Sequence, residues 1–357
     1  MTRTFTYQAL PMRVRFGTGM RTELPDELGV LDLNSAIVLC APGQVELGHN
    51  VHSILGDAGR GVYPYAEMHV PLTRAEAARA FAEQRGADAV VCVGGGSTTG
   101  LGKAIALTSG LPVIAVPTTY AGSEMTPIWG LTDQAVKKTG RDARVLPRSV
   151  IYDPELTYSL PVNISVTSGF NAIAHAAEAL YAPDASPIIS LMAEEGARTM
   201  LSALPALRAE PADAQGRSEA LYAAWLCGAV LGSTTMGLHH KLCHILGGTF
   251  NLPHADTHTI VLPYVLAFNL VAAPQARAAL ARATGTETPA ATIKKIADSL
   301  GAPPSLQSIG MPAAGIAEVV RQAVDAPYSN PRPVTAEQLT ALITDAHIGT
   351  HPRELDI

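Results

Sequence analysis

The chain has 357 residues, which is long enough for two domains with a large hydrophobic core. Its 25 basic and 31 acidic residues give a formal net charge of −6, and no block of like charge stands out. This balance argues against nucleic acid or an anionic membrane as the main partner, because both select a basic patch. The four cysteines form no CxxC pair, and residues 1–12 lack the apolar core of a signal peptide, so we expect a cytoplasmic protein. The longest apolar run, around residues 223–232, is too short to span a bilayer.

Strand-like and helix-like patterns alternate through the first half of the chain. Residues 4–16 are typical of an extended hairpin or edge element, and residues 35–40, 89–93 and 113–116 are typical of buried strands. Thr73 and Glu76 form a capping-box pair that predicts a helix through residues 75–84. This alternation favours a mainly parallel sheet with crossover helices.

The pattern changes near residues 152–160. Beyond this point the segments are long and rich in alanine and leucine, with little β-branched alternation, which predicts helices. We therefore expect an α/β, Rossmann-like dinucleotide-binding domain over residues 1–155 and an all-α substrate or catalytic domain over residues 156–357.

A glycine run directly follows the strand at residues 89–93. Consecutive glycines let the backbone approach a ligand, and the start of the next helix offers amides and a positive dipole end to a pyrophosphate. The run is neither GxGxxG nor a Walker loop. The following strand ends in hydroxyl-bearing residues, at the edge where open α/β sheets bind ligands. The predicted cofactor-binding residues are Gly94, Gly95, Gly96, Ser97, Thr98, Thr118, Thr119 and Ser123, with a capping role for Ser123 equally open.

Four of the chain's eleven histidines lie between residues 237 and 254. Histidine has the side-chain pKa nearest neutrality, so such a cluster is a candidate for proton transfer or metal binding. On a helix, His240 and His244 stand one turn apart on one face, and His254 returns from the turn that follows. The alternative is that these histidines are neighbours by chance.

A second segment, SGFNAIAHAAE at residues 168–178, places Asn171 and His175 one helical turn apart. Two segments with polar side chains at this spacing are typical of helices that face each other across a site. The sequence therefore predicts one polar pocket between two helices.

These segments together resemble the iron-containing alcohol dehydrogenase superfamily, which has a dehydroquinate synthase-like fold. The resemblance covers nearly the whole chain and rests on GGGS at residues 94–97, PTT…GSE at 117–124, IYDP at 151–154 and NLPH at 251–254. The longer segments GGGSTTGLGKAIAL, PTTYAGSEMTPI, SGFNAIAHAAEALY and GLHHKLCHILGGTFNLPHADTHT resemble its maleylacetate reductase branch. This implies reduction, by NADH or NADPH, of the C=C bond of maleylacetate, a small dicarboxylate, to 3-oxoadipate in aromatic-compound degradation.

The resemblance also implies roles for single residues. In metal-dependent relatives an aspartate and three histidines hold iron or zinc, and the matching positions here are Asn171, His175, His240 and His254. Asn171 is neutral, so the set lacks an anionic ligand and we expect no bound metal, although weak zinc binding by three imidazoles stays open.

For the reaction that the resemblance implies, the predicted catalytic set is His175, His240, His244 and His254. His240 and His244, helped by His175, would donate hydrogen bonds and relay a proton to an enolate, and His254 would complete the pocket wall. Substrate carboxylates need polar or cationic partners, for which the candidates are Asn171, His239, Lys241 and Arg332, with the basic run Lys137, Lys138, Arg141 and Arg144.

Several alternatives stay open at this point. The chain is also compatible with a metal-dependent alcohol dehydrogenase, a non-catalytic cofactor-binding relative, or a lyase on the same fold. The residues after the first strand, 40–43, include no acid, so the sequence does not choose between NADH and NADPH. A homodimer is the default for a soluble enzyme.

Overall fold

The protein is described by a computed structural model that covers residues 4–134, 136–325 and 328–353. These residues divide into two compact units. An α/β unit spans Ala9–Leu160, and a helical unit contains residues 161–353 together with residues 4–8.

The α/β unit is built on a six-stranded parallel sheet with the order β1-β8-β5-β4-β2-β3. A separate antiparallel hairpin is formed by β6 and β7. The strands are β1 (Arg13–Phe16), β2 (Ala36–Leu39), β3 (Gly59–Tyr63), β4 (Ala89–Gly94), β5 (Val113–Pro117), β6 (Ile128–Asp133), β7 (Val136–Arg141) and β8 (Ser149–Tyr152). The accompanying α-helices are α1 (Leu24–Val30), α2 (Val45–Leu55), α3 (Leu72–Gln84) and α4 (Gly96–Ser109).

The three predicted buried strands are confirmed as β2, β4 and β5. Every residue of these strands is buried, as expected for apolar runs in a parallel sheet with both faces covered. The edge element is confirmed by β1, which pairs with β8 alone, but the hairpin is wrong because residues 4–12 form no strand.

The predicted capping box of Thr73 and Glu76 is also wrong. Helix α3 begins earlier, at Leu72, and its N-cap is Pro71, which makes no side-chain cap. The proline ring fixes φ near −58°, and the Pro71 carbonyl accepts the backbone N–H groups of Arg74 and Ala75. The rigid proline therefore sets the start of the helix without the threonine.

The strand order creates a switch point at the middle of the sheet. From β2 the chain moves outward to β3, and it then returns to β4 on the other side of β2. The loops that follow β2 and β4 therefore leave in opposite directions, which opens a crevice at the carboxyl ends of these strands.

The predicted helical second half is confirmed. Its helices are α5 (Val162–Leu180), α6 (Pro187–Ala209), α7 (Ala214–Ser233), α8 (Leu238–Phe250), α9 (His254–Asn269), α10 (Pro274–Thr284), α11 (Pro289–Ser299), α12 (Ile316–Asp325) and α13 (Ala336–Ile348). One apolar core joins residues of α8, α9, α12 and α13. The segment His254–Ala272 has the length and hydropathy of a membrane span, but 78% of that window is buried in the fold. Such an apolar helix is the central core helix of this unit.

Candidate active site

The glycine run joins β4 directly to α4. Gly94 ends the strand with φ +153°, and the helix starts at Gly96 with Gly95 as its N-cap and no side-chain cap. A Cβ on Gly94 would lie 2.5 Å from Thr98 Oγ1, and one on Gly95 would lie 3.1 Å from the side chain of Thr119. Gly94 is therefore favoured by its backbone conformation and by a close contact, whereas a side chain at Gly95 would crowd Thr119. The helix leaves its first amides and its positive dipole end to an anionic ligand.

Gln44, which the sequence analysis did not single out, joins the same edge of the sheet. It follows β2, and its Nε2 donates a hydrogen bond to Thr118 Oγ1 at 3.0 Å, while the Thr118 backbone N–H donates to the Gly94 carbonyl at 3.1 Å. The carboxyl ends of β2, β4 and β5 thus meet at the switch point. The one available signal was the position of Gln44 just beyond a buried parallel strand.

A buried lysine fixes the loop beyond β5. Lys103 of α4 is fully buried, and its Nζ donates to the Thr126 hydroxyl at 2.9 Å and to the backbone carbonyls of Ser123, Thr126 and Ile128. Burial lowers the pKa of Lys103 to about 7, against the opposing effect of Glu124. Ser123 does not cap the short helix that it begins, since the N-cap is Gly122. Its carbonyl instead anchors the loop to α4.

Six histidines of the helical unit lie together in what we call the histidine cluster. They are His175 of α5, His239, His240 and His244 of α8, and His254 and His258 of α9. Neighbouring ring centroids are 4.2–6.5 Å apart. His175, His239, His240 and His258 are buried, whereas His244 and His254 are exposed. The structure therefore brings the four predicted catalytic histidines together, on three helices, and adds His239 and His258.

Glu178 anchors the cluster and was missed as a site residue. Its buried carboxylate accepts the backbone N–H groups of Gly237 at 3.0 Å, His239 at 2.8 Å and His240 at 3.3 Å, and it also accepts the Nδ1–H of His240 at 2.7 Å. Burial acts to raise the pKa of Glu178, but the bond from His240 and the neighbouring charges and amides outweigh it and lower the pKa to about 2. An ionised carboxylate therefore lies at the positive end of α8.

These contacts decide which ring nitrogens carry protons. Because Glu178 is ionised, His240 donates through Nδ1 and turns the lone pair of Nε2 toward the cluster. The Nε2–H of His239 donates to the backbone carbonyl of His258 at 3.1 Å, which leaves the lone pair on Nδ1. Burial lowers the pKa of His239 to about 4 and the pKa values of His175 and His258 well below the usual range, so these rings are neutral at pH 7.

Several polar atoms of the cluster have no hydrogen-bond partner within the described chain. They are Asn171 Oδ1, His175 Nδ1, His239 Nδ1, His240 Nε2 and both ring nitrogens of His258. Buried polar atoms are almost always hydrogen-bonded or bound to an ion or water. The cluster is therefore built to take a polar ligand.

The predicted substrate contacts separate into two groups. Asn171 and His239 belong to the cluster, and Lys241 is half-buried on α8 beside it. The Arg332 guanidinium instead lies 4.3 Å from the Phe268 ring centroid and donates to the Phe268 carbonyl at 3.2 Å. Phe268 follows His258 by ten residues on α9, or about 15 Å along a helix. Arg332 thus packs against the C-terminal half of α9, while the residues just before it, 329–331, border Glu178 and Gly237.

The basic run lies in the other unit. Lys137, Lys138 and Arg141 belong to β7 and are exposed, and Lys138 pairs with Asp133 at 2.9 Å. Arg144 pairs with Asp142 at 2.6 Å on the surface. These are ordinary solvated ion pairs.

A parallel sheet with a glycine turn at its switch point, together with a helical unit that carries a histidine cluster, indicates a dinucleotide-dependent enzyme. Residues 11–154 match the family described as "Iron-containing alcohol dehydrogenase", and residues 165–347 match "Fe-containing alcohol dehydrogenase family, C-terminal". The chain belongs to the iron-containing alcohol dehydrogenase family, which confirms the resemblance seen in the sequence.

Within that family the chain is similar to maleylacetate reductases. It is 54% identical over 348 residues to maleylacetate reductase of Burkholderia cepacia, covering 98% of this chain and 99% of the relative. The crystal structure of maleylacetate reductase from Agrobacterium tumefaciens superposes with a TM-score of 0.95 at 47% identity, covering 98% of this chain and all of that one. The crystal structure of maleylacetate reductase from Rhizobium sp. strain MTP-10005 superposes with a TM-score of 0.95 at 48% identity, covering 98% of this chain and all of that one.

The family's name implies iron, and the residues at the matching positions do not fit it. Asn171 supplies no negative charge, and among the described residues His175, His240 and His254 do not form a group whose ligand atoms are close enough to share an ion. The group that does is His239, His240 and His258, whose ligand atoms lie within 4.8 Å of one another. We therefore derive no catalytic step through a metal.

Proposed function

We propose that this chain is an NADH- or NADPH-dependent maleylacetate reductase. Hydride from the nicotinamide adds to the alkene carbon β to the ketone, a proton adds to the α carbon, and the products are 3-oxoadipate and the oxidised cofactor. Similarity over nearly the full length to maleylacetate reductases supports the substrate. The observation that carries the chemistry is the buried Glu178–His240 pair within the histidine cluster.

The α/β unit supplies the cofactor site. The amides of the α4 N-terminus would hold the cofactor's pyrophosphate, since Gly94, Gly95 and Gly96 permit close approach and Ser97 and Thr98 follow in the first turn of the helix. Thr118 and Thr119 contribute hydroxyls from the end of β5, and Gln44 holds Thr118 in place. No acidic residue follows β2 within residues 40–44, so a 2′-phosphate meets no carboxylate there and both cofactors are accepted.

The helical unit supplies the charge and the proton. When hydride adds to the alkene, negative charge develops on the ketone oxygen, and a positioned donor stabilises this enolate. His240 is the donor, because Glu178 fixes its ring and stabilises the positive charge that the ring carries when Nε2 holds a proton. The exposed His244 and His254 connect the buried rings to solvent protons, and His175 lies 5.1 Å from His240 between ring centroids.

Recognition of the two substrate carboxylates falls to groups at the cluster. Lys241 provides the cation, and Asn171 and His239 provide hydrogen bonds. We further propose that the enzyme is cytoplasmic and homodimeric. An alcohol dehydrogenase that polarises its substrate with a metal at the family position is not favoured, because the donor set there does not converge on one ion.

The test is an assay of chelated protein. Purified enzyme is treated with a strong chelator, analysed for metals and mixed with maleylacetate and NADH or NADPH, with oxidation of the cofactor followed by absorbance. We expect full activity in metal-free protein. Loss of activity that iron or zinc restores would contradict the mechanism, and no activity under any of these conditions would contradict the substrate.

A further inference from the structure

Three rings of the histidine cluster form a triangle that does not coincide with the family's metal position. We propose that His239, His240 and His258 bind a divalent transition-metal cation of the zinc type. Of these three residues only His240 also belongs to the family's metal position. His239 and His258 do not, so the triangle would be a separate coordination site. The proposal goes beyond the reduction reaction, for which we proposed a mechanism without a metal.

The geometry of the triangle is regular. The ring centroids of His239 and His240 are 5.3 Å apart, those of His239 and His258 4.8 Å, and those of His240 and His258 4.9 Å. Each pair of rings is inclined by 79°. Three rings arranged edge to face around a common point can direct one nitrogen each toward it, as three ligands of a tetrahedral ion require.

The hydrogen bonds outside the triangle prepare the rings for coordination. A metal-bound histidine nearly always donates its second ring N–H to a carboxylate or backbone carbonyl. His240 donates Nδ1–H to Glu178, and His239 donates Nε2–H to the His258 carbonyl. The nitrogens left over, His240 Nε2 and His239 Nδ1, are buried and have no partner in the described chain, and neither ring nitrogen of His258 has one.

Charge is also partly compensated. Three neutral imidazoles leave a divalent ion with its full charge in a buried site, which is costly. The buried carboxylate of Glu178 lies 2.7 Å from His240 Nδ1, a single ring away from the ion, where it offsets part of that charge. Two neighbouring rings are exposed: His244, whose centroid lies 6.2 Å from that of His240, and His254, whose centroid lies 4.2 Å from that of His258.

A cation in this site has a functional consequence. It would occupy His240 Nε2, the atom that carries the proton to the substrate under the proposed function. Zinc should therefore inhibit the reaction rather than support it. Imidazole ligands suit Zn²⁺ and Co²⁺ well, so Co²⁺ serves as the spectroscopic probe of the same site.

The experiment is a titration of chelated protein with Co²⁺, without cofactor or substrate, followed by the visible d–d absorption of the ion and by calorimetry. The full-length wild type is compared with His239→Ala and His258→Ala, whose changes lie on different helices, and with His254→Ala as the matched control at the family position. Circular dichroism and thermal melts establish that each variant is folded.

We expect one ion per chain with four-coordinate absorption in the wild type. Since partners outside the coordination shell are worth about 10–100-fold in affinity, loss of a ligand in His239→Ala or His258→Ala should cost about 100-fold or more, and His254→Ala should stay within about threefold. Binding that is lost in His254→Ala but retained in the other two variants would overturn the proposal in favour of the family position. No binding by folded wild type would also overturn it, and neither result bears on turnover by the metal-free enzyme.

Discussion

Glu178→Gln removes one charge from the centre of the site while keeping the shape of the side chain. Four hydrogen bonds to the Glu178 carboxylate come from the N-terminus of α8 and from His240 Nδ1. A pKa lowered from 4.5 to about 2 corresponds to about 3 kcal/mol of preferential stabilisation of the ionised form. We therefore expect the free energy of unfolding at pH 7 to fall by about 3 kcal/mol.

The effect on the reaction should be larger and separable. A glutamine amide that turns its oxygen toward the backbone N–H groups presents its NH₂ group to His240 Nδ1, which must then accept. The ring takes the opposite tautomer and loses the carboxylate that stabilises its positive charge, so the rate of the chemical step should fall about 10²–10⁴-fold. Cofactor affinity should not change, because the glycine turn is untouched.

The assay is single-turnover oxidation of NADH with saturating maleylacetate, together with fluorescence titration of NADH and urea unfolding. Glu194→Gln is the matched control, since Glu194 forms an exposed pair with Arg282 at 2.6 Å and such pairs contribute about 0–1 kcal/mol. A rate within about threefold of wild type, well inside the expected loss, would refute the role of Glu178 in positioning His240. It would leave Glu178 as a cap of α8 alone.

Three further predictions test other parts of the molecule. Gly95→Val should raise the KM for NADH far more than the KM for maleylacetate, because an added Cβ would lie 3.1 Å from the side chain of Thr119 and the valine methyl groups would crowd the glycine turn further. Gly29→Val, at an exposed glycine, is the control, and a rise in the KM for maleylacetate alone would contradict the proposed cofactor site. His240→Ala and His244→Ala should each slow the chemical step about 10²–10³-fold with normal cofactor binding. The control is His347→Ala, at a buried histidine that hydrogen-bonds the Met311 carbonyl; this change should lower stability and leave the rate near normal. If His240→Ala, His244→Ala and His347→Ala all reacted at the same rate, the proposed proton relay would be contradicted. Glu27 is buried beneath Arg13, and despite burial its pKa is lowered by that pair. The stabilisation of the fold by ionised Glu27 is therefore complete above the unfolded pKa of 4.5 and is lost as the pH falls below that value. The free energy of unfolding, measured by urea melts, should therefore depend less on acid pH in Glu27→Gln than in wild type.

The elements of the fold that depend on local pattern could be predicted. The buried strands β2, β4 and β5 are continuous apolar runs, and a parallel sheet requires such runs. The start of α3 could not be predicted from its capping box, because the rigid backbone of Pro71 outweighed the weak preference of Thr73 for an N-cap.

The candidate site was predicted where spacing along one helix sufficed. Asn171 and His175, and His240 and His244, are one turn apart on α5 and α8. His258 repeats that spacing from His254, so the same rule would have found it. Glu178 was not predictable, because its partners begin at Gly237 and no local pattern joins them. The position of Arg332 likewise depends on a contact with Phe268 that is distant in sequence.

The most direct measurement follows the hydride itself. Chelated enzyme is incubated with maleylacetate and NADH carrying deuterium at the transferred position, and the product is examined by NMR and mass spectrometry. The proposed reaction predicts 3-oxoadipate with one deuterium on the carbon β to the ketone and a solvent-derived proton on the α carbon. Deuterium on a newly formed carbinol carbon would show that the enzyme reduces the ketone as an alcohol dehydrogenase does, and it would contradict the account.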